Sequence, residues 1–64
     1  MIINGKHRDF PEGTSVTEML GALNLDAQKV VVEVNENIVN KETFADHVLV
    51  TGDKIEIIAF VGGG

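Results

Sequence analysis

Apolar residues recur at two different spacings along this chain, and the changeovers mark its elements. Ile2-Ile3 runs into Asn4-Gly5, a dipeptide suited to the positive φ angles of a tight hairpin. A second strand over about residues 6–10 returns antiparallel and stops at Pro11, the only proline. Two registers stay open. A two-residue turn places Phe10 on the face of Ile3, and a three-residue loop with a bulge reverses it. Val16, Met19, Leu20 and Leu23 then follow at i, i+3, i+4 and i+7, the stripe of an amphipathic helix. Ser15-Val16-Thr17-Glu18 ahead of it has capping-box form, and Asn24 suits a left-handed cap at its end. Gly21 inside the helix costs roughly 1 kcal/mol against alanine, so tertiary packing must hold it.

The period then changes to two. Val30, Val32 and Val34 alternate with Val31, Glu33 and Asn35 in a β-branched run. Glu36-Asn37 is expected to turn the chain into a short Ile38-Val39 strand. Residues 43–47 suit a single helical turn anchored by Phe44. Thr51-Gly52-Asp53 reads as a turn, and residues 54–60 as the last strand. The order is β-β-α-β-(short β)-β without repeat or linker, an α+β arrangement with a mixed sheet packed on one main helix.

Composition narrows the chemistry. With 64 residues, the chain forms one domain near the lower limit for independent folding. It has no cysteine, hence no disulfide and no Cys-based zinc site, and His7 and His47 lack metal-ligand spacing; no metal is expected. Ten acidic residues against five scattered basic ones give a net charge of −5 and leave no basic stripe for a phosphate backbone. Nucleic acid is therefore not an expected partner, and a protein with a basic docking surface fits better. No apolar run approaches the roughly 20 residues needed to span a bilayer. Met1 leads straight into strand-like Ile2-Ile3 without a signal-peptide pattern, so the expected location is cytoplasmic.

Internal catalysis finds little support. Asp46-His47 are neighbours on a turn, where adjacent side chains point apart, and Ser15 is better employed as a helix cap than as a nucleophile. No phosphate-binding glycine loop is present. A domain this small is expected to lack room for a pocket of roughly 300 Å³ or more. The distinctive chemistry lies instead at Val61-Gly62-Gly63-Gly64, directly after the last strand. Three bare glycines form neither stable helix nor strand. They are expected to project roughly 10 Å beyond the sheet and to thread a channel too narrow for side chains. Gly64 there presents an unhindered α-carboxylate. A frayed terminus or a cloning remnant would also contain such glycines. Against both, no polar spacer separates the tail from the strand.

These pieces together resemble the ThiS family of β-grasp, ubiquitin-like sulfur carriers. The similarity rests on Asn4-Gly5, Gly13-Thr14-Ser15-Val16, Met19-Leu20 and Val32-Glu33-Val34-Asn35. It continues through Ile38-Val39, Gly52-Asp53-Lys54-Ile55-Glu56-Ile57 and Phe60-Val61-Gly62-Gly63-Gly64, nearly the whole chain. One departure is Phe44, where relatives often carry Trp or Tyr. The resemblance implies a β-grasp domain over residues 1–61, with a four- to five-stranded sheet, and a flexible tail over residues 62–64. It further implies a carrier for thiamin biosynthesis that is not itself an enzyme and binds no cofactor. A ThiF-type adenylyltransferase would use ATP to adenylate the Gly64 carboxylate. Sulfur from a cysteine desulfurase would then convert it to a thiocarboxylate, and a ThiG-type thiazole synthase would receive that sulfur. A ubiquitin-like protein modifier and a molybdopterin-type sulfur carrier are the nearest alternatives; a non-covalent β-grasp interaction module is a third.

Strand parity proposes where partners dock. Ile55 and Ile57 share one face of the last strand, and Glu56, Ile58 and Phe60 the other. If the first pair packs on the helix, Ile58 and Phe60 face outward beside Val61 and the tail, with Ile2 from the first strand as a further member. The plainer reading has Phe60 packing on its own chain.

Overall fold

The computed structural model describes residues 1–60. Strand β1 (Ile2–Ile3) turns through Asn4 and Gly5, both at positive φ (50° and 78°), into β2 (Lys6–His7). Ile3 pairs with Lys6 and Ile2 with His7, so the two-residue turn is the one formed. Strand β2 ends at His7, earlier than the expected residue 10. The Arg8 amide still bonds the Met1 carbonyl at 2.9 Å, but β1 is only two residues long and offers β2 nothing further to pair with. Phe10 packs, partly buried, against the core that contains Ile3.

Helix α1 (Val16–Ala22) has the expected capping box. Ser15 Oγ accepts the Glu18 amide at 3.1 Å, and Glu18 Oε1 accepts the Ser15 amide at 3.0 Å. Asn24 (φ 58°) reverses the chain. Its amide donates to the Gly21 carbonyl, and that of Leu25 to the Leu20 carbonyl, a Schellman ending with asparagine in the place usually taken by glycine. A 3-10 turn (Ala27–Lys29) leads into β3 (Val30–Val34), and β4 (Asn37–Ile38) follows. A second 3-10 turn (Lys41–Thr43) precedes the long connection to β5 (Lys54–Ala59).

Two further boundaries differ from the sequence expectation, and one of them is the end of β5, at Ala59 instead of residue 60. The β3–β4 turn is Asn35-Glu36, not Glu36-Asn37: both have positive φ (52° and 70°), and β4 starts one residue early. Contacts from outside the hairpin fix this choice. Asn35 Oδ1 accepts the Lys54 amide at 3.0 Å, and Asn35 Nδ2 donates to Asp53 Oδ1 at 2.9 Å. Val39 lies beyond β4, but its amide bonds the Val32 carbonyl at 2.9 Å. The expected turn over residues 43–47 is closed by the His47 amide bonding the Thr43 carbonyl at 2.8 Å, and the 3-10 turn leading into it is capped by Asn40 Oδ1, which accepts the Glu42 amide at 2.9 Å. Phe44 is the buried anchor expected of it.

The sheet runs β2-β1-β5-β3-β4, with β1 parallel to β5 and β3 antiparallel to both its neighbours. Ile3, Val30, Val32, Val34, Ile55 and Ile57 supply its buried side. Val16, Met19 and Leu20 of α1 join them in one cluster with Met1, Val39, Phe44 and Leu49. One sheet face is thus covered, and alternation sends every second residue of β3 and β5 to the other.

Candidate functional site at the bare sheet face

Strand β5 carries two opposite populations of side chains. Ile55 and Ile57 are buried, whereas Ile58 and Phe60 remain 54% and 47% exposed. The register assembles the rest of the bare face. Val31 lies opposite Ile58, and one step away Glu33 lies opposite Glu56, with Ile38 of β4 opposite Glu33. An apolar area therefore borders a pair of directly opposed carboxylates. Like charges so placed repel, which favours a cation from outside over a second copy of the same face.

Ile2 is 42% exposed and shares this face, but it stands beside Lys54. It lies four residues before Ile58, about 13 Å at the usual rise of a strand. Ile58 and Phe60 are thus brought together at the end where β5 exits, and Ile2 marks the opposite end of the same surface. Val61, Gly62, Gly63 and Gly64 lie outside the described residues.

The exit of β5 is fastened on one side. Beyond the last ladder pair, Val30 with Ala59, the Phe60 amide donates to the Lys29 carbonyl at 2.8 Å. The Lys41 ammonium sits 5.6 Å from the centroid of the Phe60 ring and donates to the Gln28 carbonyl at 3.0 Å. Phe60 thus makes contacts within its own chain while half its surface stays open. Sequence reasoning did not find Lys41, because a 3-10 turn far from Phe60 in sequence brings it there. The opposed Glu33–Glu56 pair became visible only with the β3–β5 register.

The rejected catalytic candidates have ordinary structural employment. Ser15 is the helix cap, and the His47 backbone carbonyl accepts the Val16 amide at 2.9 Å. Among the described residues no group of three or more His, Cys, Asp or Glu side chains could hold a metal ion. One expectation needs correction: an open groove of about 470 Å³ does exist, between β4 and residues 47–50. Loop and edge strand enclose it without burying it. Its Asp53 carboxylate is occupied by Asn35 Nδ2 and the Val50 amide, and the Thr43 hydroxyl donates to the Asn40 carbonyl. No helix of the described residues is long and apolar enough to cross a membrane.

Comparison with known proteins adds a family to this geometry. The sequence model of the ThiS family matches residues 1–64. Sulfur carrier protein ThiS of Bacillus subtilis is 36% identical over 63 residues, covering 97% of this chain and 96% of that protein. A thiazole synthase of Paramagnetospirillum magneticum is 45% identical over all of this chain, and one of Magnetococcus marinus is 36% identical over 97% of it. The chain spans only about a fifth of the length of these two relatives (20% and 19%). Among solved structures, the crystal structure of thiamine biosynthesis protein ThiS from Geobacter metallireducens superposes with a TM-score of 0.80 at 38% identity. It covers 98% of this chain and 96% of that one, so the α+β sheet-and-helix arrangement is a β-grasp fold.

Proposed function

Because the chain belongs to the ThiS family, we propose that it is a sulfur carrier of thiamin biosynthesis, with the Gly64 carboxylate as the group that receives sulfur. The observation that carries this reading is the match of the ThiS family model to residues 1–64, which includes the glycines after β5, beside the 36% identity to Bacillus ThiS. A carboxylate is a poor electrophile and needs activation. In a ThiF-type partner, a Gly64 oxygen attacks the α-phosphorus of ATP and pyrophosphate leaves, giving an acyl-adenylate. A persulfide sulfur supplied through a cysteine desulfurase then attacks the carbonyl carbon, and AMP departs with the C–O electron pair. The acyl disulfide so formed is cleaved by a thiol, which becomes half of a new disulfide and releases the Gly64 thiocarboxylate.

The carrier supplies no acid, base or cofactor to these steps; ATP belongs to the partner. Its part is to be recognised and to present Gly62, Gly63 and Gly64 to each enzyme in turn. The absence of cysteine suits that part, since no internal thiol competes for the activated acyl group. A ThiG-type thiazole synthase is the proposed acceptor of the sulfur. Two relatives named thiazole synthase support this, because each contains a region similar to the whole or nearly the whole of this chain. Joining carrier and acceptor in one polypeptide raises their effective concentration for a handover. The proposed docking surface is the bare face around Ile58 and Phe60, with Val61 next in the chain as a further member and Ile2 at its far end. A cytoplasmic location accompanies these partners.

Intact-mass measurement of the protein from cells starved of thiamin tests the reading. The expected result is a species heavier by one oxygen-for-sulfur exchange, absent from a variant lacking Gly64. Conjugates to other proteins would overturn it in favour of a ubiquitin-like modifier. Accumulation of the thiocarboxylate on demand for molybdopterin instead of thiamin would point to the molybdopterin-type carrier. Full function without Gly64 would leave only a non-covalent interaction module.

A further inference from the structure

Phe60 is the last residue held by a backbone bond among those described, through its amide to the Lys29 carbonyl at 2.8 Å. A phenylalanine at the end of a strand, half exposed, normally exchanges rotamers, and ordering it on binding opposes association. Here one cation stands over the ring. Lys41 Nζ is tied to the Gln28 carbonyl at 3.0 Å and lies 5.6 Å from the ring centroid, within cation–π range. The backbone that carries Lys41 is itself fixed, since Asn40 caps its 3-10 turn. Three segments thus converge at the exit of β5: the turn before β3, the turn after β4, and the end of β5 itself.

We infer that Lys41 is a positioning residue for recognition by the adenylating partner. It holds the Phe60 ring in one orientation and leaves the rest of the ring as a preformed anchor at the exit of β5. It acts through Phe60 and does not touch the reacting carboxylate. This rests on the carrier reading above. Pre-organisation of a binding anchor changes how well the carrier is captured, and therefore KM, while the chemical step keeps its kcat.

The test uses the full chain, its adenylating partner and ATP, with carrier-dependent ATP–pyrophosphate exchange as the assay. Lys41→Met keeps the aliphatic stem and loses the charge; Lys41→Arg keeps a cation able to stack on the ring and reach the Gln28 carbonyl. Lys41→Met is expected to raise the KM for carrier about two- to fivefold at unchanged kcat, the range of an exposed cation–π contact. Lys41→Arg is expected to match the wild type. Proton NMR of the free wild-type chain should find the Lys41 ε-methylene protons shifted upfield by the ring, with the shift lost in Phe60→Leu. An unchanged KM in Lys41→Met, even with lowered thermal stability, would overturn the assignment, as would an Arg variant no better than Met or the absence of the upfield shift. If the wild type is not adenylated at all, the carrier reading fails and this role fails with it. A wild type that is adenylated beside a Lys41→Met variant with the same KM removes the Lys41 role alone.

Discussion

The amide of Asn4 takes over where a strand leaves off. Strand β1 ends at Ile3, yet the Asn4 amide donates to the Ile55 carbonyl at 2.9 Å and Asn4 Oδ1 accepts the Ile57 amide at 2.7 Å. A side chain thus continues the ladder after the backbone has turned away at positive φ. Replacing Asn4 with alanine removes the acceptor, leaves the amide of buried Ile57 without a partner and strains the turn. The expected loss is about 1–3 kcal/mol in denaturant unfolding. Asn4→Asp keeps an acceptor and tolerates the left-handed region, so its loss should be well under that of alanine. Asn4-Gly5 is legible in the sequence as a turn. Its tertiary bond to Ile57 is not, because nothing local records which strand will lie alongside.

Helix α1 has only 7 residues, too short to persist alone. Its caps and its three buried side chains, Val16, Met19 and Leu20, hold it. Ser15→Ala should destabilise the fold by about 1 kcal/mol, read as a lowered denaturant midpoint. Gly21 offers the reverse: it is exposed, its φ is ordinary and a methyl group there would meet open space. Gly21→Ala is expected to stabilise by about 0.5–1 kcal/mol. This element was legible almost to the residue, since capping box, stripe and Asn24 are all local signals. The β3–β4 hairpin was less so. Asn35, Glu36 and Asn37 are all polar, and the turn settles on the first two because Lys54 and Asp53 grip Asn35 from a distant part of the chain. Strand β5 was readable in its inward and outward faces, and Phe60 with it, because parity survives uncertainty about the ends. Lys41 required the fold.

At the scale of the whole molecule, a thin sheet is covered on one side and bare on the other. The covered side holds the core, so the two sides respond differently to the same chemistry. A carboxylate at position 60 leaves that core untouched but places charge on the apolar area at the exit of β5. Phe60→Asp is expected to unfold at about the same denaturant concentration as wild type while raising the KM for adenylation about tenfold or more, the effect of removing an interface anchor. Unchanged adenylation kinetics would remove this face from the docking surface. Ile57→Asp, on the covered side, should instead fail to fold stably, since it buries a charge in the hydrophobic core, opposite Val32.

The parallel pairing of β1 with β5 has a practical outcome for anyone attaching something to this protein. Ile2 lies beside Lys54 at the start of β5, so the two ends of the described chain leave from opposite ends of the sheet. Phe60 lies six positions beyond Lys54, about 20 Å at the rise of a strand. A fluorophore, affinity tag or whole enzyme spliced ahead of Met1 would therefore be leashed at the far pole from the exit of β5. Labels on that side should leave the Phe60 end of the docking surface open, provided the linker clears Ile2 and spares Met1, whose side chain is part of the core.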